Sequence, residues 1–519
     1  MGNKKVYITT PIYYASGNPH IGHSYTTILA DSLARSKKLI GNDVFFLTGM
    51  DEHGQKIFEK AQKENKQPQQ FVDEIANKFQ QLWKDLDINY NVFARTTSKQ
   101  HCDLVEKVFQ IYTEKNFIYL DNWEGLYCVQ CEENYTKSQA VKHEDDNCLY
   151  CKVGHKLSYK KEQSYFLKIS QFENWLKEYL INHPTFIYPN NRLKELNNNF
   201  INQGLTDLSI SRTTYDWGIK VPNDDKHVVY VWIDALMIYL SGLGYLSNDD
   251  KNYQHYWNDE SCEIVHLMSK EITRFHCIYW PIMLEMLNIR KPTHIISHGW
   301  IITDKGKMSK SLGNVIDPFE YIQNYGSDAL RYFLVKEISL ENDGVFSKDL
   351  FINCFNNDLA NNYGNLVSRT IGMLTKYSNK VVNKPDDQYF DNNDNELISF
   401  AKATISKCVK HINDNKLQQM IIDIMTLGDH ANKYIEDKKP WVLFKENKTN
   451  EINAFLYTLI NVVRIMTFFL SPILTKGTKQ AISQLNLSNE QLSINSIDKF
   501  ELLDKHTVNE SSPIYLRIK

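Results

Sequence analysis

Two short polar stretches, far apart in the chain, have the residue types needed to bind a polyphosphate. His20, Gly22 and His23 follow a strand-like run and precede a predicted helix, where backbone N–H groups and the helix dipole favour an anion. Lys307 and Lys310 belong to a loop that follows another predicted strand. Their ammonium groups can stabilise a leaving pyrophosphate as its charge develops. Alone, each stretch is more often a solvated helix start or a basic hairpin, but together they indicate a site for a triphosphate.

Four of the nine cysteines form two Cys-x-x-Cys pairs, with 16 residues between the pairs. Cys128 with Cys131, and Cys148 with Cys151, have the spacing of the two knuckles of a tetrahedral zinc site. The alternatives are two disulfides or unligated thiols, and the absence of an export signal disfavours the disulfides. Four thiolates leave no open coordination position. We therefore expect one structural Zn²⁺ and no catalytic metal.

Composition excludes some classes of protein. A net charge of −3 and a pI of about 6.6 give no bulk attraction to nucleic acid, so any such surface must be a local patch. The sequence has no run of 18 apolar residues, and we expect no membrane span. It enters a strand within its first eight residues and leaves no room for a signal peptide. We expect a cytoplasmic protein.

The predicted elements place these residues at one edge of a parallel sheet. Strands at 6–9 and 43–48 alternate with helical patterns at 25–39 and 55–86, as in a sheet covered by helices. Ligands bind beyond the carboxyl ends of such strands. Asp51 follows the second strand there and can hold an ammonium group, although a solvated loop carboxylate is the simpler interpretation.

The rest of the chain predicts an insertion, a return to the sheet and a helical region. Strands are expected at 228–234, 263–268 and 294–300, and helical periodicity without strands follows residue 355. The predicted divisions are a Rossmann-like catalytic domain in two halves at 1–115 and 226–300, an insertion at 116–225, a lysine-loop region at 301–355 and an antiparallel helical bundle at 356–519.

The chain resembles the class I aminoacyl-tRNA synthetases in both phosphate stretches, and the methionyl-tRNA synthetases in particular. The residues that carry the resemblance are 20–23 and, in order along the chain, 10–14, 49–56, 93–97, 230–235, 270–276, 307–311 and 361–366. Chance does not plausibly place so many matching segments in this order. The resemblance implies an α/β catalytic domain with a zinc-bearing connective insertion, followed by an all-α anticodon-binding domain. The insertion is too short for the large editing domain of the isoleucine, leucine and valine enzymes.

The resemblance also implies a substrate and its pocket. Methionine would be activated by ATP with Mg²⁺, and the α-ammonium would be held by Asp51 and the backbone near Ile12. Aromatic and apolar residues would enclose the thioether, although most of them are indistinguishable from core residues by sequence. These wall residues are Tyr14, Trp232, Ala235, Tyr239, Ile272 and His276.

In the helical region the resemblance implies an anticodon site. Asn365 and Arg369 lie four residues apart, hence on one helix face, and Trp441 follows a proline at a predicted helix start. They would read unpaired bases of initiator and elongator methionine tRNA by hydrogen bonds and stacking. A surface hydrogen-bond pair and a core tryptophan are the simpler interpretations. The chain ends shortly after the bundle, and we expect a monomer.

Two other functions fit parts of this pattern. A nucleotidyltransferase without tRNA would use both phosphate stretches but has no need of the helical domain and its base-reading residues. A non-catalytic zinc-bearing RNA-binding protein would not need intact stretches at 20–23 and 307–311. The sequence therefore favours a methionine-activating enzyme that also binds tRNA.

Overall fold

The structure is a computed structural model that describes residues 4–128, 133–135, 140–142, 148–151, 154–303, 306–307, 315–502 and 504–519. The first part alternates strands and helices as predicted. Its elements are β1 Lys5–Tyr14, α1 Ile21–Leu39, β2 Asp43–Asp51, α2 Gln55–Lys63, α3 Pro68–Asp85, β3 Val92–Arg95 and α4 Lys99–Glu114. The predicted helical stretch at 55–86 is two helices, and the second begins at Pro68, because proline is favoured in a first helical turn.

The next part is rich in short antiparallel strands. Its elements are β4 Ile118–Cys128, β5 Glu133–Tyr135, β6 Val141–Lys142, β7 Leu149–Tyr150, β8 Ser158–Leu167, α5 Glu173–Asn182, β9 Ile187–Tyr188, α6 Asn190–Asn199, β10 Leu208–Ser209, β11 Ser211–Arg212, β12 Lys220–Val221 and β13 Asp224–Val229. They form one sheet in the order β10-β8-β4-β5, a second in the order β11-β13-β12, and the pair β6-β7.

The parallel sheet is completed by elements from the second half of the catalytic region. These are α7 Val231–Ser241, β14 Glu263–Ser269, α8 Trp280–Leu287 and β15 His294–His298. The sheet has the order β3-β2-β1-β14-β15-β9, and every neighbouring pair in it is parallel. The carboxyl ends of β1, β2 and β14 therefore lie side by side at one edge. The sixth strand, β9, is a contribution from the insertion that the sequence did not indicate.

The predicted strand at 228–234 is wrong. Its first two residues end β13, which belongs to a small antiparallel sheet, and Tyr230 is the N-cap of helix α7. The run is apolar up to its last residue, Asp234, and periodicity alone does not separate a buried strand from a buried helix in such a run. The correction matters because it places Trp232 on the same helix as Ala235.

A small sheet and three helices join the catalytic region to the bundle. They are β16 Ile301–Thr303, β17 Gly306–Lys307, α9 Pro318–Tyr325, α10 Ser327–Glu337, β18 Gly344–Val345 and α11 Lys348–Cys354. A π-helical segment, Phe355–Gly364, leads into the helical domain. That domain contains α12 Asn365–Ser378, β19 Val381–Asn383, α13 Asn392–Asn413, α14 Leu417–Lys438, α15 Pro440–Lys445, α16 Thr449–Leu470, α17 Gly477–Leu485, α18 Ile494–Lys499 and β20 Lys505–Thr507.

The bundle differs from its prediction in one detail. The short strands β19 and β20 form an antiparallel pair in a region predicted to lack strands. Helix α16 has the length and hydropathy of a membrane-spanning helix, but 94% of its most apolar window is buried inside the protein. It is therefore the central core helix of the bundle.

Arg331 in α10 joins the bundle to the catalytic region. Its guanidinium group is fully buried and lies 2.7 Å from the carboxylate of Asp31 in α1. It also donates to the carbonyl oxygens of Pro472 at 2.7 Å and Ile473 at 2.8 Å. A buried charge is stable only when its partners are in place. This ion pair holds α1, the helix that begins at the predicted phosphate site, against the bundle.

Candidate active site

His20 and His23 form a reciprocal cap at the start of α1. The Nδ1 atom of His20 accepts a hydrogen bond from the Gly22 N–H group at 3.1 Å, and Nδ1 of His23 accepts one from the His20 N–H group at 3.1 Å. The two rings stack with centroids 3.8 Å apart. Because both Nδ1 atoms accept, each neutral ring carries its proton on Nε2 and can donate it to an anionic oxygen.

Glycine at position 22 is part of this cap. A Cβ atom built on Gly22 would lie 3.0 Å from the ring of His20, so a side chain there would displace the capping imidazole. Burial, and the neighbouring His20, lower the pKa of His23 well below its ordinary value. The pair is therefore a neutral donor site at a positive helix end, suited to a phosphate without adding charge.

The lysine loop begins in a hairpin at the same edge of the sheet. Strand β16 pairs with β17 in antiparallel fashion, with Ile302 opposite Lys307 and Thr303 opposite Gly306. The hairpin follows β15 directly, so it starts beyond the carboxyl end of a sheet strand. Lys310 and the side chain of Lys307 lie outside the described residues, and their predicted contacts with phosphate stay predictions.

The candidate methionine pocket contains a buried tyrosine–histidine pair. Nδ1 of His276 lies 3.0 Å from the carbonyl oxygen of Ile272, so this nitrogen carries the proton. The Tyr239 hydroxyl then donates to Nε2 of His276 at 2.7 Å. Burial lowers the pKa of His276 to about 4. The pair is neutral at physiological pH and suits an uncharged, polarizable thioether better than a charged side chain.

The other predicted wall residues lie on two neighbouring elements. Trp232 in α7 stacks on Phe275, with ring centroids 3.4 Å apart and planes at 10°. Ala235, one turn further along α7, is buried. Ile272 is partly buried and packs against the apolar cluster that contains Tyr239. The structure therefore brings together residues that are more than 30 positions apart in the sequence.

Asp51 lies beside the two predicted pocket residues of β1. In the β1–β2 register, Ile12 is opposite Gly49 and Tyr14 is opposite Asp51, at the carboxyl ends of both strands. Asp51 is 6% exposed. Burial raises the pKa of Tyr239, with smaller electrostatic contributions from Tyr13 and from the Asp51 carboxylate. A buried carboxylate here can hold an ammonium group.

A buried hydrogen-bonded network, which the sequence did not reveal, fixes the two sides of the pocket. One carboxylate oxygen of Asp234 lies 2.7 Å from Nδ1 of His53 and the other lies 2.7 Å from Nε2 of His101. Burial acts to raise the pKa of Asp234, but the electrostatic influence of His53 and hydrogen bonds from both histidines lower it to about 2. His53 follows Asp51 by two residues and Asp234 follows Trp232 by two, so Asp234 connects the ammonium side to the aromatic side.

Neutral buried histidines predict a loss of stability in mild acid. Burial lowers the pKa of His276 and His298 to about 4, whereas both titrate near 6.5 in an unfolded chain. Between these values only the unfolded state binds the protons, so the free energy of unfolding falls as pH falls, by up to about 3 kcal/mol for each histidine. We expect a lower urea midpoint at about pH 5 than at about pH 7.5. His276→Gln should flatten this dependence, and an unchanged midpoint in the parent protein would contradict the account.

A candidate metal cluster lies in the insertion. The ligand atoms of Cys128, Cys151 and His155 all lie within 4.8 Å of one another. The His155 N–H group also donates to Sγ of Cys151 at 3.2 Å, a contact that suits a thiolate acceptor. Two of the four predicted ligands are therefore together, and His155 is an addition. Cys131 lies outside the described residues, and Cys148, which is described, is outside this group.

The three predicted anticodon residues lie on two helices of the bundle. Asn365 and Arg369 are on α12, and Trp441 is on α15 with 40% of its surface exposed. Arg369 donates to Glu436 of α14 at 2.8 Å and to Asn432 at 3.2 Å. An exposed tryptophan can stack on an unpaired base, and asparagine and arginine side chains can hydrogen-bond with base edges, so the roles predicted for these three residues stay predictions.

The chain matches two family models that together span most of its length. The model described as tRNA synthetases class I (M) matches residues 6–371. The model described as the anticodon binding domain of methionyl tRNA ligase matches residues 384–514. The chain belongs to the methionyl-tRNA synthetase family. The Rossmann-like fold and the helical anticodon-binding domain predicted from the sequence are thereby confirmed.

Individual relatives agree with this family. The chain is 52% identical over 515 residues to a methionine–tRNA ligase of Ureaplasma parvum, with 99% of the chain and 98% of the relative covered. It is 43% identical to that of Bacillus subtilis, with 100% and 78% covered. It is similar to the structure of Mycobacterium tuberculosis methionyl-tRNA synthetase in complex with methionyl-adenylate, with a TM-score of 0.94 and 32% identity over 99% of this chain and 100% of that one.

Proposed function

We infer that this chain is an ATP-dependent methionine–tRNA ligase, in agreement with its family and its full-length relatives. It activates methionine to methionyl-adenylate with release of pyrophosphate and transfers the methionyl group to tRNA. The observation that carries the site assignment is the position of the His20–His23 cap and of Asp51 beyond the carboxyl ends of two adjacent strands of one sheet. This arrangement lets a carboxylate approach the α-phosphorus of ATP.

Catalysis at this site rests on positioning and on charge stabilisation. Asp51 and the backbone near Ile12 hold the methionine ammonium, and the Tyr239–His276 pair encloses the thioether. The methionine carboxylate then attacks the α-phosphorus in line, and the bond to pyrophosphate breaks. Donors on Nε2 of His20 and His23, with Lys307 and Lys310, stabilise the developing charge. The Mg²⁺ that accompanies ATP is held chiefly by phosphate oxygens.

Transfer follows at the same edge of the sheet. The hydroxyl of the terminal ribose of tRNA attacks the carbonyl carbon of methionyl-adenylate, an ester bond forms, and AMP leaves. Residues 301–355 connect the lysine hairpin to the bundle, and we place contacts with the tRNA stem there. The reaction supplies charged methionine tRNA, including the initiator, to the translation machinery. We place it in the cytoplasm and expect the protein to act as a monomer.

We propose one structural Zn²⁺ in the insertion. The donor set fits, since two cysteine sulfurs and an imidazole within 4.8 Å of one another suit tetrahedral coordination. Zinc bound there would hold β4 to the turn after Cys151 and would take no part in adenylation. The four cysteines predicted from the sequence remain the proposed ligands, with His155 beside them.

Zinc content tests this assignment. Cys151→Ser should lower the metal content from about one Zn²⁺ per chain to nearly none, because it removes a ligand common to the predicted set and the observed cluster. His155→Gln and Cys148→Ser separate the four-cysteine set from the cluster that contains His155. We expect Cys148→Ser to lose zinc and His155→Gln to keep it. Methionine-dependent ATP–pyrophosphate exchange should persist in all three purified variants. Full zinc content in Cys151→Ser, measured by atomic emission, would contradict the proposal.

Loss of Trp441 tests the anticodon site. Trp441→Leu should lower kcat/KM for tRNA charging by about tenfold or more, the usual effect of removing one stacking ring. Pyrophosphate exchange should be unchanged, since α15 lies in the bundle and not at the sheet edge. Ile422→Ala, at another exposed apolar position of the bundle, is the matched control. Charging by Trp441→Leu at the rate of that control would count against the site.

A further inference from the structure

An exposed apolar patch surrounds the candidate anticodon tryptophan. Trp441, Val442 and Phe444 are 40%, 37% and 46% exposed, respectively, and all lie in α15. Single exposed apolar residues need no explanation, but three within four positions form a patch of the kind that marks an interaction site. We call these three residues the α15 patch.

One side of the Phe444 ring packs against an aromatic residue of α12. The Phe444 ring packs on Tyr377 with centroids 5.0 Å apart. Tyr377 follows Arg369 by eight residues in α12, which is about 12 Å along the helix. The Nζ atom of Lys376 lies 5.3 Å from the Tyr377 ring. One side of the Phe444 ring is thus held in place while nearly half of the residue stays exposed.

The charges around the α15 patch suit a polyanion. Lys439 and Lys445, at the two ends of α15, are exposed. Two acidic residues nearby are engaged in ion pairs, Glu436 with Arg369 at 2.8 Å and Glu446 with Lys448 at 2.7 Å. Aromatic rings flanked by lysines are the combination with which proteins bind single-stranded RNA, through base stacking and phosphate contacts.

We propose that Phe444, supported by Tyr377, is a second base-stacking platform, which holds an unpaired base of the tRNA anticodon loop beside the base on Trp441. Trp441 and Phe444 are three residues apart on one helix and therefore neighbours on its surface. Two rings side by side can each take one base of a loop whose bases are splayed out. The proposal rests on the anticodon site around Trp441 and extends it by one nucleotide.

Binding of RNA hairpins tests the proposal in the full-length protein. The probes are the anticodon stem-loop of methionine tRNA and a series in which each loop nucleotide in turn lacks its base. Phe444→Leu keeps an apolar helix-forming side chain and removes the ring. It should raise the Kd of the intact hairpin at least about fivefold at fixed salt. Trp441→Leu tests the underlying site, and Ile422→Ala is the control for folding and nonspecific effects.

The hairpin series identifies stacking. One base-less hairpin should bind Phe444→Leu and the parent protein equally weakly, because the missing base is the one that Phe444 holds. A different base-less hairpin should bind Trp441→Leu and the parent protein equally weakly. Unchanged hairpin binding by Phe444→Leu, with binding lost in Trp441→Leu, overturns the proposal and leaves the anticodon site intact; the α15 patch would then be a protein contact. Unchanged binding by both variants overturns both. A uniform loss by Phe444→Leu across the whole series also overturns it.

Discussion

His20→Ala should slow the formation of methionyl-adenylate by about 100-fold or more, because it removes a donor from the developing charge on phosphate. It should also lower the stability of the protein by about 1 kcal/mol, since His20 caps α1. His20→Asn separates the two effects. Asparagine is as good an N-cap as the best residues, so this variant should regain the stability of the parent without regaining its rate. Stopped-flow adenylation and thermal unfolding measure the two quantities.

A cap variant elsewhere completes this experiment. Ser493 caps α18 by accepting a hydrogen bond from the Ser496 N–H group, and it lies in the bundle. Ser493→Ala should cost a similar stability and leave adenylation unchanged. Adenylation by His20→Asn at the parent rate would contradict the account, since it would reduce His20 to a helix cap.

Asp51→Asn should lower kcat/KM for methionine by about 100-fold or more. Removing one member of a buried, hydrogen-bonded charge pair costs about 2–5 kcal/mol, and Asp51 is a buried carboxylate at the strand ends. The KM for ATP should change little, because the phosphates bind at the neighbouring helix start. Pyrophosphate exchange at varied methionine concentration measures the effect.

A competitor without an amino group shows whether the lost interaction is with the ammonium. 4-(Methylthio)butanoate has the thioether and the carboxylate of methionine but no charged nitrogen. Its inhibition constant should be nearly equal in the parent protein and in Asp51→Asn, whereas methionine binding should differ strongly. An equal loss of affinity for both molecules would show that Asp51 acts on the shape of the pocket and not on the ammonium.

The sequence predicted the parts of the site that depend on local order. The strand–turn–helix around His20 follows from an apolar run, a Gly/Pro turn and a helical pattern, and the structure has each element there. Even so, helix α1 begins four residues before its predicted start, because the histidines themselves provide the cap. The parallel sheet follows from alternation, which requires crossover helices between its strands.

What the sequence did not predict depends on contacts between distant residues. Asp234 meets His101 across 133 positions of the chain, and no spacing rule links them. His155 approaches Cys128 because β8, which begins three residues after His155, pairs in antiparallel fashion with β4, which ends at Cys128. The predicted strand at 228–234 is wrong for another reason: six consecutive apolar residues precede Asp234, so the apolar pattern has no period that separates strand from helix.

The central claim is that the pocket of Asp51, Tyr239 and His276 and the His20–His23 cap together activate methionine. ATP–pyrophosphate exchange measured separately with each of the twenty amino acids tests it most directly. We expect rapid exchange with methionine and none above background with the other nineteen amino acids; the buried neutral Tyr239–His276 pair excludes the charged side chains among them. Exchange with another natural amino acid at a comparable rate, or none with methionine, would contradict the account.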